Sequence, residues 1–161
     1  MLIHKRNSQN FNDRPKSQEV DTIVIHSMFA QFVEPELQFD PDICIATLDQ
    51  ESVSAHYVIS REGEIYQLVD EELRAWHAGV SQMPDLRENV NDFSLGIELI
   101  GSPESGFTDL QYEALIRLTI NVCSRHKIKH FVGHDQIAPG RKTDPGANFD
   151  WNRYLSALSP A

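Results

Sequence analysis

Near the C-terminal end of this 161-residue chain, His134, Lys142 and Asp144 fall within eleven positions. The surrounding stretch, Val132 to Gly146, is rich in Pro and Gly, which predicts a loop rather than a helix. Imidazole nitrogen and carboxylate oxygen are both good zinc ligands, and a catalytic zinc usually takes three protein ligands plus a water. His134 and Asp144 could supply two of the three if the loop turns back on itself, with Lys142 hanging over the open position. The third ligand has to come from another part of the chain.

The elements that must position such a site can be read from pattern. Asp21 to Ser27 is a short β-branched run, predicting a buried strand that ends on His26, where side chains open towards a cleft. A hydrogen-bonded cap is the other reading of that histidine. Phe93 to Gly101 is apolar on both parities and predicts a central strand, in which Glu98 is out of place. An unpaired carboxylate in a buried strand is costly, so Glu98 either meets a cation in a buried salt bridge or lines a cavity. Residues 55–60 and 64–69 flank Arg61-Glu62-Gly63 and predict a β-hairpin. Trp76 and His77, followed by Gly79, read either as a ligand platform or, for Trp76, as core.

The segment 29–52 is broken by Pro35 and Pro41, with a short helix expected over 42–48, and reads as a rim of the site. Thr108 followed by Gln111 is a capping box that opens a helix running to about Arg125. His126, His130 and His134 recur every fourth residue, but 128–133 reads as a strand, so His126 and His130 are expected to be solvated. Asp150 caps a last helix. Residues 4–19 are polar and are expected to cross the surface as an arm, leaving one domain over 1–161 with an arm over about 1–20.

The net charge of -10 argues against a nucleic-acid partner, because phosphate binding needs a basic face. No run of signal-peptide or membrane-span character is present, which predicts a cytoplasmic protein with no membrane partner. Cys44 and Cys123 lie far apart and read as two reduced, buried thiols.

Taken together, several segments resemble one family. They are Val53-Ser54-Ala55-His56, Arg74 through Ser81 with its Trp76-His77-Ala78-Gly79 core, Asn91 through Glu98, and Gly133 through Pro139 with Asp144-Pro145-Gly146. In this order they resemble the zinc-dependent N-acetylmuramoyl-L-alanine amidases of the second amidase class, which include phage amidases and animal peptidoglycan-recognition proteins. They are most similar to the branch that recycles anhydro-muropeptides in the cytoplasm; the alternatives within the family are a phage or secreted lytic amidase of the intact wall and a peptidoglycan-binding module that has lost a zinc ligand. The resemblance implies an α/β fold, a central mixed sheet of about five or six strands with helices on both faces. It implies one Zn2+ held by His26, His134 and Asp144, which supplies the missing third ligand. Glu98 would be the acid/base residue and Lys142 the group that steadies the oxyanion. Trp76, His77, Asn91 and Ala138 would line the substrate cleft, and a muropeptide would be the partner of a monomeric enzyme. The pattern departs at Ser27 and Ser52, where close relatives of that branch carry Asn and Arg. Of a basic pair before Asn91 only Arg87 remains, with Asn89 in the other place. Phage relatives carry a catalytic tyrosine where this chain has Ala55, which favours Glu98 as the base.

Overall fold

In the computed structural model, which describes residues 1–160, eight strands and four α-helices follow one another. The strands are β1 (Ile3–Lys5), β2 (Phe11–Asp13), β3 (Thr22–Met28), β4 (Tyr57–Ile59), β5 (Ile65–Gln67), β6 (Leu73–Ala75), β7 (Ser94–Ile100) and β8 (His130–Gly133). The helices are α1 (Pro41–Gln50), α2 (Asp109–Cys123), α3 (His134–Ile137) and α4 (Trp151–Leu158). Six strands form one mixed sheet in the order β1-β5-β4-β7-β3-β8, in which β4, β7, β3 and β8 run parallel and β5 opposes β4. The remaining two, β2 and β6, form a small antiparallel pair.

Alternation along the central strands sorts side chains onto two faces. Ile23 and Ile25 of β3 and Leu95, Ile97 and Leu99 of β7 pack with Tyr112, Leu115, Leu118 and Val122 of α2 and Tyr154 of α4. The opposite parity faces α1, where Val58, Tyr66 and Ile100 meet Cys44, Ile45 and Leu48. Both faces of β7 are therefore covered, which is why its apolar residues fall on both parities. His26 and Glu98 lie on the α1 side and are register partners in the parallel β3–β7 ladder.

The local signals act as read. The Thr108 hydroxyl accepts from Gln111 N–H while the Gln111 side chain accepts from Thr108 N–H, so the α2 capping box is complete. Asp150 caps α4 through its side-chain oxygen, whereas α1 begins at Pro41 with Asp40 as its cap and runs to Gln50, beyond the 42–48 expected. In the hairpin, Gly63 has φ of 81°, and a Cβ there would stand 2.7 Å from the Leu110 carbonyl oxygen.

Residues 4–19 lie mostly at the surface, as expected, and are tied down there: β1 pairs with β5, β2 pairs with β6, and Arg14 reaches inwards to the backbone carbonyls of Glu71, Asn91, Asp92 and Ser94. Three other expectations are corrected. His126 is not solvated, because its Nε2 meets the buried Glu71 carboxylate at 2.8 Å. Cys44 is buried, but Cys123 is exposed at the end of α2. The Pro- and Gly-rich stretch does hold one helical turn, α3, because Pro139 and Gly140 fall just after its last residue.

Candidate metal centre and active site

The parallel strands point their carboxyl ends at one edge of the sheet, the usual place for a ligand in such folds. His26 stands near that end of β3, Glu98 near that end of β7, and His134 follows β8 directly. Asp144 is brought back to them because Asp135 N–H donates to the Asp144 carbonyl at 2.8 Å. The loop after α3 thus turns on itself, as the metal reading requires.

One ligand atom from each of His26, His134 and Asp144 lies within 4.8 Å of the other two. The Nδ1 atoms of the two histidines are 3.0 Å apart, and they stand 3.2 and 3.3 Å from the Asp144 carboxylate oxygens. Ligands about 2.0–2.2 Å from a tetrahedral zinc stand about 3.3 Å from one another, so this spacing fits such a centre. Each outer imidazole nitrogen is occupied: His134 Nε2 by the Ala78 carbonyl and His26 Nε2 by His77, both at 2.9 Å. A ring that donates outward keeps its inner nitrogen as a lone pair, which is the form that binds metal.

Electrostatics support the same arrangement. Burial pushes the Asp144 carboxyl up, but the hydrogen bonds with His134 and His26 outweigh this and hold it well below the carboxylate range. Burial also lowers the His26 imidazole, against the pull of Asp144, so it stays neutral. Glu98 moves the other way. It is only 8 % exposed, and burial together with the Asp144 charge raises it well above the usual range, while the Lys142 ammonium opposes the rise. Its Oε1 is 4.0 Å from His26 Nδ1, and its Oε2 is buried with no hydrogen-bond partner.

These groups lie in a cleft of about 730 Å³, lined also by Trp76, His77, Asn91, Lys142 and Ser27. The half-exposed Trp76 has its indole N–H on Asn12 Oδ1 at 2.9 Å, so strand β2 holds its ring. Ala138 is not brought to this cleft; it lies in a separate hollow of about 420 Å³ with Val80 and Pro139. Arg87 is not a cleft residue either, since its guanidinium lies between Asp85 and Asp21 and over the Phe93 ring. Sequence reasoning missed Arg14, whose one signal is its place in a polar stretch.

Known proteins match this picture. The profile of the N-acetylmuramoyl-L-alanine amidase family matches residues 16–147. The chain is 44% identical over 166 residues to the 1,6-anhydro-N-acetylmuramyl-L-alanine amidase AmpD of Haemophilus influenzae, covering 94% of this chain and 89% of that one. It superposes on a crystal structure of a selenomethionine derivative of AmpD with a TM-score of 0.82 and 35% identity, covering 99% and 100% of the two chains. The amidase AmiD of E. coli, solved with anhydro-N-acetylmuramic acid-L-Ala-D-gamma-Glu-L-Lys as substrate, matches at a TM-score of 0.75 with 28% identity, covering 96% of this chain and 68% of that one. The chain belongs to the N-acetylmuramoyl-L-alanine amidase family.

Proposed function

We propose that this protein is a zinc hydrolase that cleaves the amide between the lactyl group of anhydro-N-acetylmuramic acid and L-alanine in soluble muropeptides, and that it serves peptidoglycan recycling in the cytoplasm. The observation that carries this is the convergence of His26, His134 and Asp144 beside the unpartnered carboxylate of Glu98. The relatives' names and the bound substrate of AmiD supply the substrate class. We read it as a single catalytic domain acting as a monomer. No helix of the described residues is long and apolar enough to cross a membrane.

In this reading His26, His134 and Asp144 hold one zinc. A bound zinc supplies Lewis acidity, making water a usable nucleophile near neutral pH and polarising the scissile carbonyl. Glu98 accepts the proton of the attacking water, since its carboxylate lines the cleft and its Oε2 has no other partner. The same carboxyl then delivers that proton to the departing alanine nitrogen, which is a poor leaving group while unprotonated. Lys142 lines the cleft on the same loop as Asp144 and presents its ammonium to the oxyanion of the tetrahedral intermediate. Trp76 offers an aromatic wall to the substrate.

The test is product analysis on an anhydro-muramoyl peptide, on the same peptide attached to reducing muramic acid, and on purified sacculi. The proposal expects release of the intact peptide, fastest from the anhydro substrate, with activity lost on chelation and restored by zinc. Equal rates on all three would move the reading to an amidase of the intact wall. No cleavage of any of them would end the amidase reading.

A further inference from the structure

His77 and Asn91 line the cleft, yet both ring nitrogens of His77 and the Oδ1 of Asn91 are engaged by the protein itself. The His77 Nδ1 lies 2.9 Å from His26 Nε2, and the His77 Nε2 lies 3.0 Å from the hydroxyl of Ser94, a residue with no exposure at all. The Oδ1 of Asn91 accepts the backbone N–H groups of both His77 and Ala78, at 3.1 and 2.9 Å. The Ala78 carbonyl in turn meets His134 Nε2 at 2.9 Å. Two consecutive residues therefore occupy the outer nitrogens of both imidazoles that face Asp144.

We propose that His77 is a positioning residue of the metal centre rather than a substrate contact, and that the His77–Ala78 segment, clamped by Asn91, sets the tautomer of both histidine ligands. Proton directions are consistent along the chain of bonds. If His26 donates from Nε2, His77 accepts at Nδ1 and must carry its own proton on Nε2, where it donates to Ser94 Oγ. The inner Nδ1 of His26 is left with a lone pair, as the Ala78 carbonyl leaves that of His134. With both ring nitrogens used, His77 has none to offer a substrate.

The strand beneath is shaped for this ring. A Cβ on Gly96 would stand 2.5 Å from Cγ of His77 and 2.7 Å from its Nδ1, so the imidazole packs directly on the backbone of β7. Gly96 has an ordinary extended backbone there, so close approach, not conformation, is what excludes a side chain.

The inference rests on the proposed zinc site, and the experiment separates the two. Zinc affinity of the full-length protein is measured by chelator competition, beside the visible spectrum of the cobalt-substituted form and the kcat and KM for the anhydro-muropeptide. Loss of an outer partner of a metal-bound histidine costs about 10- to 100-fold in metal affinity. His77→Leu is expected to show that loss and an altered cobalt spectrum, with KM little changed at saturating metal. His77→Asn, which restores an acceptor near the Nδ1 position, recovers most of the affinity. Ser94→Ala, remote from any substrate, gives a smaller loss in the same direction and carries the test if His77→Leu does not fold. Wild-type zinc affinity in His77→Leu, or in Ser94→Ala where that is the surviving variant, overturns the inference, as does a raised KM with unchanged metal binding. A wild-type protein that binds no zinc overturns the metal site and this inference together.

Discussion

Two buried carboxylates lie on opposite sides of the sheet, each beside histidine, and their surroundings drive them in opposite directions. Glu71 accepts from the Tyr57 hydroxyl at 2.7 Å, from Arg125 at 2.7 and 3.0 Å, and from His126 at 2.8 Å. Burial alone would raise its carboxyl, but these hydrogen bonds and the Arg125 charge outweigh it and hold the group at about 2. Glu98 is as little exposed and has none of the partners; its Oε2 has no hydrogen bond, and burial with the Asp144 charge pushes it up. A fully satisfied carboxylate ties elements together, whereas an unsatisfied one facing a cleft is free to exchange protons. Burial therefore says little about a carboxylate's role until its oxygens' partners are known.

Substitutions on the two sides should separate chemistry from stability. On the Glu98 side, Lys142→Ala is expected to lower kcat by about 100- to 1,000-fold, the usual cost of one oxyanion-stabilising group. Lys142 is exposed, so melting temperature should hardly move. A lost fold in this variant, or an unchanged kcat, would blur the contrast.

On the other side, Glu71→Gln should leave turnover per folded molecule intact and cost about 3 kcal/mol of stability near neutral pH, the usual cost of removing one partner from a buried ion pair such as Glu71 makes with Arg125. Because the folded value lies below the unfolded one, this stabilisation is present above about 4.5 and fades as pH falls towards 2. Burial drives His56 down to about 3, so neutral His56 contributes stability that fades from its unfolded value of 6.5 downwards. Denaturant titrations across pH should therefore show the variant with a shallower acid slope below about 4.5 and an unchanged slope between 6.5 and 4.5. An unaltered slope would mean that Glu71 is not the anchor described.

The smallest effect lies at the start of α2, where the Thr108 hydroxyl also donates to the Arg61 carbonyl at 2.6 Å. Thr108→Ala removes the hydroxyl that accepts Gln111 N–H at 3.1 Å and should cost about 1 kcal/mol, with no change in zinc binding or turnover. A comparable loss of activity would show that α2 is coupled to the cleft.

Much of the fold and of the candidate site is legible in the sequence. The capping box at Thr108, the Gly63 hairpin and the doubly apolar strand around Glu98 are local patterns, and local physics decides them. The charge of Glu98 in that strand is itself a signal, because a carboxylate there needs a reason. Other features depend on register between distant strands. His77 reaches His26 across 51 positions only because β6 leads into an irregular segment packed on Gly96, and a Trp-His pair cannot show which ring faces inward. Arg14 and His126 read as surface groups since nothing near them in sequence reveals the carbonyls and the carboxylate they meet. Ala138 is assigned to the cleft by motif position alone, and a one-turn helix ending beside it directs it to a different hollow.

The most direct test of the contrast is Glu98→Gln, assayed on the anhydro-muropeptide with zinc content and substrate affinity measured on the same preparation. Bound zinc and substrate are expected near wild-type levels with turnover reduced roughly a hundred- to ten-thousand-fold, because the amide cannot accept the proton of the attacking water. Turnover at the wild-type rate in that zinc-loaded variant would contradict it and leave Glu98 as no more than a second Glu71.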